Sequence, residues 1–214
     1  MHEVTVGGRG GKGGLISPTA KALELEIAAV DELALGTIPV DLQIHLSRPT
    51  ESILADLESA DINVKGVALE LLALRLATDF GLSPVELRLR GGDTGGAEVD
   101  LVAEGAQLHF SRWLFQCKNQ VSVVPVSVLA KEVGMATLLR AQVVVIVTTG
   151  VFARSVLEYA RRTSETTALQ VILVDGSSLA RYRLHGAAEL RSELHRSALQ
   201  AVGNKRPQLL NYPS

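Results

Sequence analysis

The sequence that decides the fold runs from Gly91 to Lys118 and reads GGDTGGAEVDLVAEGAQLHFSRWLFQCK. After the glycines, an alternating run extends from Glu98 to Ala103, and a polar turn separates it from a second apolar run that begins at Trp113. Two short runs separated by a turn are typical of a β-hairpin or of adjacent antiparallel strands. We therefore expect antiparallel strands in the middle of this chain.

Three polar side chains are expected to meet on this hairpin. Asp100 lies in the first predicted strand, and Gln116 and Lys118 lie in the second. Because strand side chains alternate between the two faces, Gln116 and Lys118 share a face. Their neighbours are apolar, and a buried charge is unfavourable unless it is paired or binds a ligand. The hairpin is therefore the predicted location of the protein's chemistry.

The segments around the hairpin predict the rest of the sheet. Residues 85–90 alternate and predict a strand with Val85 facing inward, whereas residues 143–147 are a continuous β-branched run typical of a covered strand. Residues 169–174 predict another buried strand. Helical patterns separate these later strands, so neighbouring strands should run parallel with helices packed outside. Together with the antiparallel hairpin, this order predicts an α/β fold with a mixed β-sheet flanked by helices.

The predicted helices lie on both sides of the hairpin in sequence. Downstream, they are expected in residues 125–139, 152–162, 177–184 and 187–202. Upstream, Asn63 is expected to cap a helix that ends at Asp79. Glu70 stands on the apolar stripe of that helix, which is unusual for a carboxylate. Two interpretations of Glu70 stay open: a boundary residue whose head reaches water, or a residue of the site.

The first sixty residues form a predicted N-terminal helical extension. A glycine-rich basic arm (GGRGGKGG) precedes a helix predicted from Ser17 to Gly36, a short strand at residues 40–46 and a short helix at residues 49–59. No Lys-Ser or Lys-Thr pair follows the glycines, so they do not match a P-loop. We expect residues 1–60 to form this extension, residues 61–203 a globular domain and residues 204–214 a loose tail.

Composition excludes several classes of protein. Hydrophobic residues make up 47% and charged residues 21% of the 214 residues, as expected for a chain with a globular core. No apolar run approaches the roughly 20 residues that cross a bilayer, and no signal-peptide core follows Met1. The single cysteine, Cys117, excludes an intrachain disulfide and suits a reducing compartment. We therefore expect a cytoplasmic protein that does not bind membranes.

Charge is distributed unevenly along the chain. Residues 1–104 carry 8 Lys or Arg and 17 Asp or Glu, a net charge of −9, whereas residues 105–214 carry 13 and 6, a net charge of +7. Arginine, which suits phosphate recognition, accounts for ten of the later basic residues. The asymmetry fits a polyanion-binding face, and equally a solvated surface or acidic and basic parts that face each other.

The residue types on the hairpin suit phosphodiester hydrolysis assisted by a divalent cation. Mg²⁺ takes hard oxygen ligands, so Asp100 is the expected first ligand and Gln116 can add its amide oxygen. Lys118 can orient the attacking water or neutralise developing charge. Glu70 can supply a second carboxylate if its helix packs over the hairpin.

From about Asn63 to Leu179, the order and spacing of five short motifs match a known family. The motifs are Ala68-Leu69-Glu70-Leu71-Leu72, then Gly95-Gly96 before Glu98-Val99-Asp100-Leu101-Val102, then Phe115-Gln116-Cys117-Lys118, then Val147-Thr148-Thr149-Gly150 with Phe152, and Leu173-Val174-Asp175-Gly176 with Leu179. This segment resembles the catalytic domain of Mrr-type restriction endonucleases, within the PD-(D/E)xK nuclease superfamily. The resemblance covers a little over half of the chain and implies a restriction-endonuclease-like fold for residues 61–203.

The resemblance implies a metal-dependent DNA endonuclease of the restriction or defence type. Asp100 matches the metal-binding aspartate and Lys118 the catalytic lysine. Gln116 takes the acidic position of the (D/E)xK half-motif, and Glu70 matches the helical glutamate. Glu98 departs from the family pattern, and it either adds a metal ligand or points to solvent at the start of its strand. Mg²⁺ is the implied cofactor, with Mn²⁺ as a substitute.

The resemblance also implies partners. Double-stranded DNA is the implied substrate, and because cutting both strands needs two sites, a homodimer is expected. Residues 1–60 match no motif of the family, and they are expected to contact DNA, form the dimer or dock another subunit. Two alternatives stay open: a non-cleaving DNA-binding or assembly module that keeps the nuclease fold, and a structure-specific DNA repair nuclease.

Overall fold

The structure, a computed structural model, describes residues 38–91, 94, 96–105, 110–120 and 122–210, with side chains as far as residue 204. The predicted glycine-rich arm, the predicted helix of residues 17–36 and Gly95 lie outside the described residues. The described residues belong to one compact unit. The helices in the described part of the chain are too short or too polar to cross a bilayer.

A five-stranded mixed sheet organises the chain, as predicted. Its strands are β1 (Ser83–Leu89), β2 (Val99–Gly105), β3 (Ser111–Lys118), β4 (Val143–Thr148) and β5 (Gln170–Val174), and they follow one another across the sheet in chain order. The pairs β1–β2 and β2–β3 are antiparallel, which confirms the predicted hairpin. The pairs β3–β4 and β4–β5 are parallel, as the intervening helices require.

The described residues also form helices on both faces of the sheet. They are α1 (Val40–Leu46), α2 (Thr50–Asp56), α3 (Ile62–Asp79), α4 (Val126–Leu138), α5 (Arg154–Thr166), α6 (Gly176–His185) and α7 (Ala187–Leu210). Helices α3, α6 and α7 contribute to the apolar core on one face, and α4 and α5 contribute to the core on the other. The predicted α/β architecture, with helices ahead of the sheet in sequence, is confirmed.

Alternation along β3 assigns its side chains to these two faces. Phe115 belongs to the core beneath α3, whereas Leu114 belongs to the core beneath α4. Because strand side chains alternate, Gln116 and Lys118 lie on the α4 side of the sheet together with Leu114. Every residue of β4 is buried, which explains its continuous apolar sequence.

The predicted strand at residues 40–46 is wrong, because this segment is helix α1. Leu42 is its buried anchor, while Val40 and Ile44, which share the alternating pattern with Leu42, are exposed. The backbone N–H of Gln43 donates to the carbonyl of Pro39 at 3.0 Å, so the segment satisfies its hydrogen bonds locally. A weak alternation over seven residues therefore did not distinguish a helix anchored at one position from a strand.

Helices α1 and α2 pack against α3. Ile53 of α2 is buried within the core beneath α3. The guanidinium of Arg75 in α3 donates to the carbonyls of Leu46 at 2.6 Å and Arg48 at 2.8 Å, both in the chain around the α1–α2 turn. Residues 38–56 therefore lie against the sheet-bearing part of the chain, and the domain boundary at residue 60 stays a prediction.

Two helix boundaries and the orientation of one strand residue differ from the predictions, each for a local reason. Asp61, rather than Asn63, caps α3, and its side chain accepts the Asn63 backbone N–H at 2.8 Å. Val85 is 40% exposed rather than inward, because the β1–β2 register shifts between its two neighbours and leaves Val85 as an extra residue. Helix α7 continues to Leu210, so the tail predicted to be loose begins as helix.

Candidate active site

A buried carboxylate and a buried amide meet between β2 and β3. Asp100 and Gln116 are 7% and 4% exposed. The Asp100 Oδ2 atom accepts hydrogen bonds from the Gln116 Nε2 group and, at 2.6 Å, from the backbone N–H of Cys117. The Asp100 side chain thus satisfies a backbone donor of β3, and the hairpin register brings together two of the predicted site residues.

Burial dominates the protonation of Asp100. Removal from water raises the pKa of its carboxyl group from 3.8 to about 6. The Cys117 N–H opposes this rise by stabilising the anion, Glu70 adds to it by repulsion, and the Lys118 ammonium opposes it by attraction. Glu98 also adds to the rise by repulsion, so the pKa of Asp100 responds to the charges of three other predicted site residues.

Gln116 presents an oxygen without a partner. Its Nε2 group is used by Asp100, but its Oε1 atom is buried and accepts no hydrogen bond among the described residues. A buried acceptor without a donor costs about 1–3 kcal/mol. An amide oxygen beside a carboxylate is a donor set that suits a hard divalent cation, because such cations take carboxylate and amide oxygens. The residues present fit the cation that the sequence implies.

Lys118 lies at the carboxyl end of β3, opposite Thr148 of β4. The Thr148 hydroxyl donates to the carbonyl of Lys118 at 2.8 Å and accepts the backbone N–H of Gly150 at 3.1 Å. The Lys118 ammonium opposes the rise that burial causes in the pKa of two carboxylates, Asp100 and Glu132. Lys118 is therefore fixed at its backbone and lies within electrostatic reach of both acids.

Two further predicted site residues are neutralised by arginine. Glu70 on α3 pairs with the Arg88 Nε atom at 2.7 Å, and its side chain is 18% exposed. Glu98 pairs with the Arg90 Nη2 atom at 2.6 Å, and its side chain is 35% exposed. Both glutamates lie at the margin of the site, and their roles as metal ligands stay predictions.

The acidic side chains that the structure describes at this site do not form a metal cluster by themselves. Among the described residues, no group of three or more His, Cys, Asp or Glu side chains is arranged to hold a metal ion. A cation site built on Asp100 therefore needs the amide oxygen of Gln116, or a further group brought in beside it.

Glu132 of α4 is a charged residue that the sequence interpretation missed. It is 1% exposed, and burial raises the pKa of its carboxyl group. The signal was present in the sequence: Glu132 stands three residues after Leu129 and four before Ala136, both of which are buried. Glu70 drew attention by the same pattern, so the rule applied to α3 would also have found Glu132.

Cys117 behaves as a core residue. Its thiol donates weakly to the Leu69 carbonyl at 3.7 Å, and burial raises its pKa well above the ordinary value. A thiol held in its protonated form is a poor nucleophile. These surroundings are those of a side chain that packs rather than reacts.

The arginines of α5 differ in availability. Arg161 is held by Glu158 at 2.7 Å and also pairs with Glu165. Arg154 and Arg162 are exposed and form no salt bridge in the described part of the chain. Arg154 begins α5 just beyond β4, at the sheet edge where Lys118 ends β3.

Comparison with known proteins gives a family match over the same segment. A family model described as a restriction endonuclease, the Mrr catalytic domain, matches residues 63–182. That range spans more than half of the chain and contains Asp100, Gln116, Lys118 and Glu132. No curated protein matches the chain.

Two solved structures resemble the fold. The MspJI restriction endonuclease in complex with a 27-mer oligonucleotide is 20% identical, with 85% of this chain and 38% of that chain covered and a TM-score of 0.38. The DNA modification-dependent restriction endonuclease AspBHI is 15% identical, with 76% of this chain and 41% of that chain covered and a TM-score of 0.44. The chain thus matches about two fifths of the length of each.

Proposed function

This chain belongs to the Mrr-type restriction endonuclease family, and on that premise we propose that it is a metal-dependent endonuclease that hydrolyses phosphodiester bonds of double-stranded DNA. One observation carries the proposal. A buried Asp100 contacts a buried Gln116 whose amide oxygen lacks a partner among the described residues, and the Lys118 ammonium acts on the same carboxylate.

The Asp100 carboxylate and the Gln116 Oε1 atom would hold the divalent cation, which we propose to be Mg²⁺, with Mn²⁺ as a substitute. When bound, such a cation supplies positive charge next to the scissile phosphate and makes a neighbouring water more acidic. The N–H of Cys117 fixes the Asp100 carboxylate in place, so its orientation does not depend on the ligand. Preorganisation of this kind reduces the cost of ordering the site when substrate binds.

Lys118 is the residue of the chain that supplies positive charge to stabilise negative charge on the phosphate. Its ammonium group carries three donors, which can hold the attacking water and a phosphate oxygen at once. Attack at phosphorus builds negative charge on the phosphate oxygens, and a fixed ammonium in a partly buried site stabilises that charge more than water does. The Thr148 hydroxyl secures the Lys118 backbone, so the amine extends from a fixed point.

Two finer features belong to the same proposal. Cleavage of both strands of a duplex needs two sites, which supports a homodimer. Glu70 and Glu98 are retained as residues that adjust the site rather than as its first ligands, because each is engaged by an arginine. The biological role proposed is restriction or defence, with residues 1–60 available for DNA or another subunit.

A plasmid-cleavage assay with Mg²⁺ tests the function. The wild-type chain should nick or linearise supercoiled DNA, while Asp100→Ala and Lys118→Ala should lose at least about 100-fold in rate, as expected when a charge-stabilising group is removed. Glu86→Ala is the matched control, since Glu86 is an exposed carboxylate on β1. Equal nicking by all four proteins would reject the site. Tight DNA binding without cleavage in Mg²⁺ and Mn²⁺ would favour a non-cleaving binding module.

A further inference from the structure

Glu132 is more deeply buried than Asp100, at 1% exposure against 7%. Neither of its carboxylate oxygens has a hydrogen-bond partner among the described residues. Its ionic neighbour is the Lys131 ammonium, 3.2 Å from Oε1, and the Lys131 side chain is 46% exposed. The ammonium thus pairs with one carboxylate oxygen of Glu132, and about half of the Lys131 side chain remains exposed.

This arrangement leaves Glu132 poorly compensated for its burial. Taking a carboxylate out of water costs several kcal/mol unless a partner and hydrogen bonds replace the lost hydration. The Lys131 ammonium also approaches the carbonyl of Glu98, at 3.4 Å, while the Oε2 atom of Glu132 has no donor among the described residues. A carboxylate kept for structure alone would be expected to have hydrogen bonds to both oxygens.

The position of Glu132 relates it to the site. Helix α4 packs on the face of the sheet that carries Gln116 and Lys118, and the Lys118 ammonium acts electrostatically on Glu132. Two buried acceptors without donors among the described residues, the Gln116 Oε1 atom and the Glu132 carboxylate, therefore occur in the same layer between α4 and β3. A divalent cation that contacts both oxygens would satisfy them together.

Charge balance supports the same assignment. Glu70 and Glu98 are paired with arginines, so their charges are already balanced. The charges of Asp100 and Lys118 also cancel, and a divalent cation would therefore bring the net charge of the site to +2. Glu132 adds −1 and its ion-pair partner Lys131 adds +1, so Glu132 lowers the total to +1, the charge that one phosphodiester neutralises, when the half-exposed Lys131 ammonium turns to water. Gln116 cannot supply the negative charge, because it is a neutral amide.

We propose that Glu132 supplies, from α4, the second carboxylate of the divalent-cation site formed by Asp100 and Gln116. The inference rests on the proposed function, since it concerns the cation of that site. Glu132 supplies the negative charge that Gln116 on β3, as a neutral amide, lacks. The ligand class is a hard divalent cation such as Mg²⁺ or Mn²⁺.

Mn²⁺ binding to the DNA-free full chain tests this proposal without any cleavage step. The free Mn²⁺ signal in electron paramagnetic resonance gives the Kd for wild type, Glu132→Gln, Asp100→Asn and the exposed control Glu86→Gln. We expect Glu132→Gln and Asp100→Asn each to weaken Mn²⁺ binding at least tenfold, and Glu86→Gln to stay within twofold of wild type. Thermal unfolding in EDTA should show that Glu132→Gln folds with an unchanged or higher Tm, because it removes a poorly paired buried charge.

Lys131→Gln is the second variant, and it leaves the Glu132 carboxylate intact. It should bind Mn²⁺ as tightly as wild type or more tightly, because it removes a competing cation. Wild-type affinity in Glu132→Gln together with weak binding in Asp100→Asn would overturn this inference alone. A tenfold loss of Mn²⁺ affinity in Lys131→Gln would attribute the loss in Glu132→Gln to the broken Lys131–Glu132 ion pair. That result would also overturn this inference. Wild type that fails to bind Mn²⁺, or Asp100→Asn that binds like wild type, would reject both this inference and the metal site of the proposed function.

Discussion

At the scale of single residues, the protein holds an aspartate under conditions that disfavour its ionised form. The pKa of Asp100 lies near 6 in the fold because burial outweighs the stabilising Cys117 N–H and the Lys118 charge. A folded-state pKa above the unfolded value means that protonation favours folding. Ionisation of the buried carboxyl group therefore lowers the free energy of unfolding. This loss of stability is absent below pH 3.8, grows as the pH rises to about 6 and is complete above that pH.

Substitution of Asp100 by asparagine should therefore change the pH dependence of stability in the metal-free protein. The shift from 3.8 to about 6 corresponds to about 3 kcal/mol. The stability of Asp100→Asn relative to wild type should increase by up to that amount between about pH 3.5 and about pH 7, as the wild-type carboxylate ionises. Urea unfolding in EDTA at a series of pH values measures this difference. A difference that does not vary with pH would show that the carboxylate ionises in the fold as freely as in water.

Residue-level prediction succeeded where it depended on spacing within a strand. Gln116 and Lys118 are two residues apart, so their shared face follows from the geometry of any β-strand. The contact between Asp100 and Gln116 needed only the antiparallel pairing of adjacent strands. The burial of Glu132 depends on how α4 docks on the sheet, and the pairing of Glu70 depends on how α3 packs beside Arg88 of β1. Neither follows from local sequence.

At the scale of secondary-structure elements, three segments that follow parallel strands pack backbone against backbone beside Lys118. The Gly176 N–H donates to the Gly150 carbonyl at 2.9 Å. A Cβ atom on Gly150 would lie 2.5 Å from the Gln120 carbonyl oxygen, and one on Gly176 would lie 2.5 Å from the Thr149 carbonyl oxygen. Glycine at both positions allows the chain segments after β3, β4 and β5 to approach this closely.

Gly176→Ala should destabilise the protein by about 1–3 kcal/mol, because its methyl group would force α6 away from the end of β4. Gly134→Ala is the matched control, since a methyl group at Gly134 in α4 would meet no described atom within 4 Å beyond the backbone of its own helix. That control should be neutral or stabilising by about 0.5–1 kcal/mol, because alanine favours the helix. Guanidinium chloride unfolding of both variants and wild type compares them. Equal stabilities would contradict the close packing at this edge.

Prediction of elements was reliable where the pattern was long or strongly apolar. The hairpin, the buried strand β4 and the helix α3 follow from runs whose periodicity leaves little choice. Residues 40–46 were assigned to a strand but form α1, because one buried leucine and local hydrogen bonds suffice for a short helix packed on a larger core. The bulge at Val85 also depends on pairing with β2 and has no signature in β1 itself.

At the scale of the whole molecule, the uneven charge of the sequence is partly cancelled within the fold. Arg112 pairs with Glu104 at 2.8 Å, and Arg183 pairs with Glu58 at 3.3 Å, so basic residues of the later half meet acidic residues of the earlier half. This bears out one of the interpretations that charge alone left open. The net charge of the chain is −2, so the proposed contact with DNA would depend on particular unpaired basic residues.

Arg154 and Arg162 provide a matched pair for locating the DNA. Both are exposed arginines of α5, but Arg154 begins the helix beside the Lys118 edge, and Arg162 lies about 12 Å further along it. Arg154→Ala should weaken DNA binding and reduce the slope of log Kd against log salt by about 1, as expected for one lost phosphate contact. Arg162→Ala should change neither by a comparable amount. Fluorescence anisotropy in Ca²⁺ over a salt series measures both, and equal effects of the two variants would contradict this placement.

The central proposal is that Asp100, Gln116 and Lys118 form a centre that cleaves DNA. Single-turnover cleavage of duplex DNA by Lys118→Met, with protein in saturating excess and Mg²⁺ present, tests this most directly, because binding and product release then do not limit the rate. We expect this variant to bind DNA within a few fold of wild type and to cleave at least about 100-fold more slowly. A cleavage rate within a few fold of wild type would contradict the proposed centre.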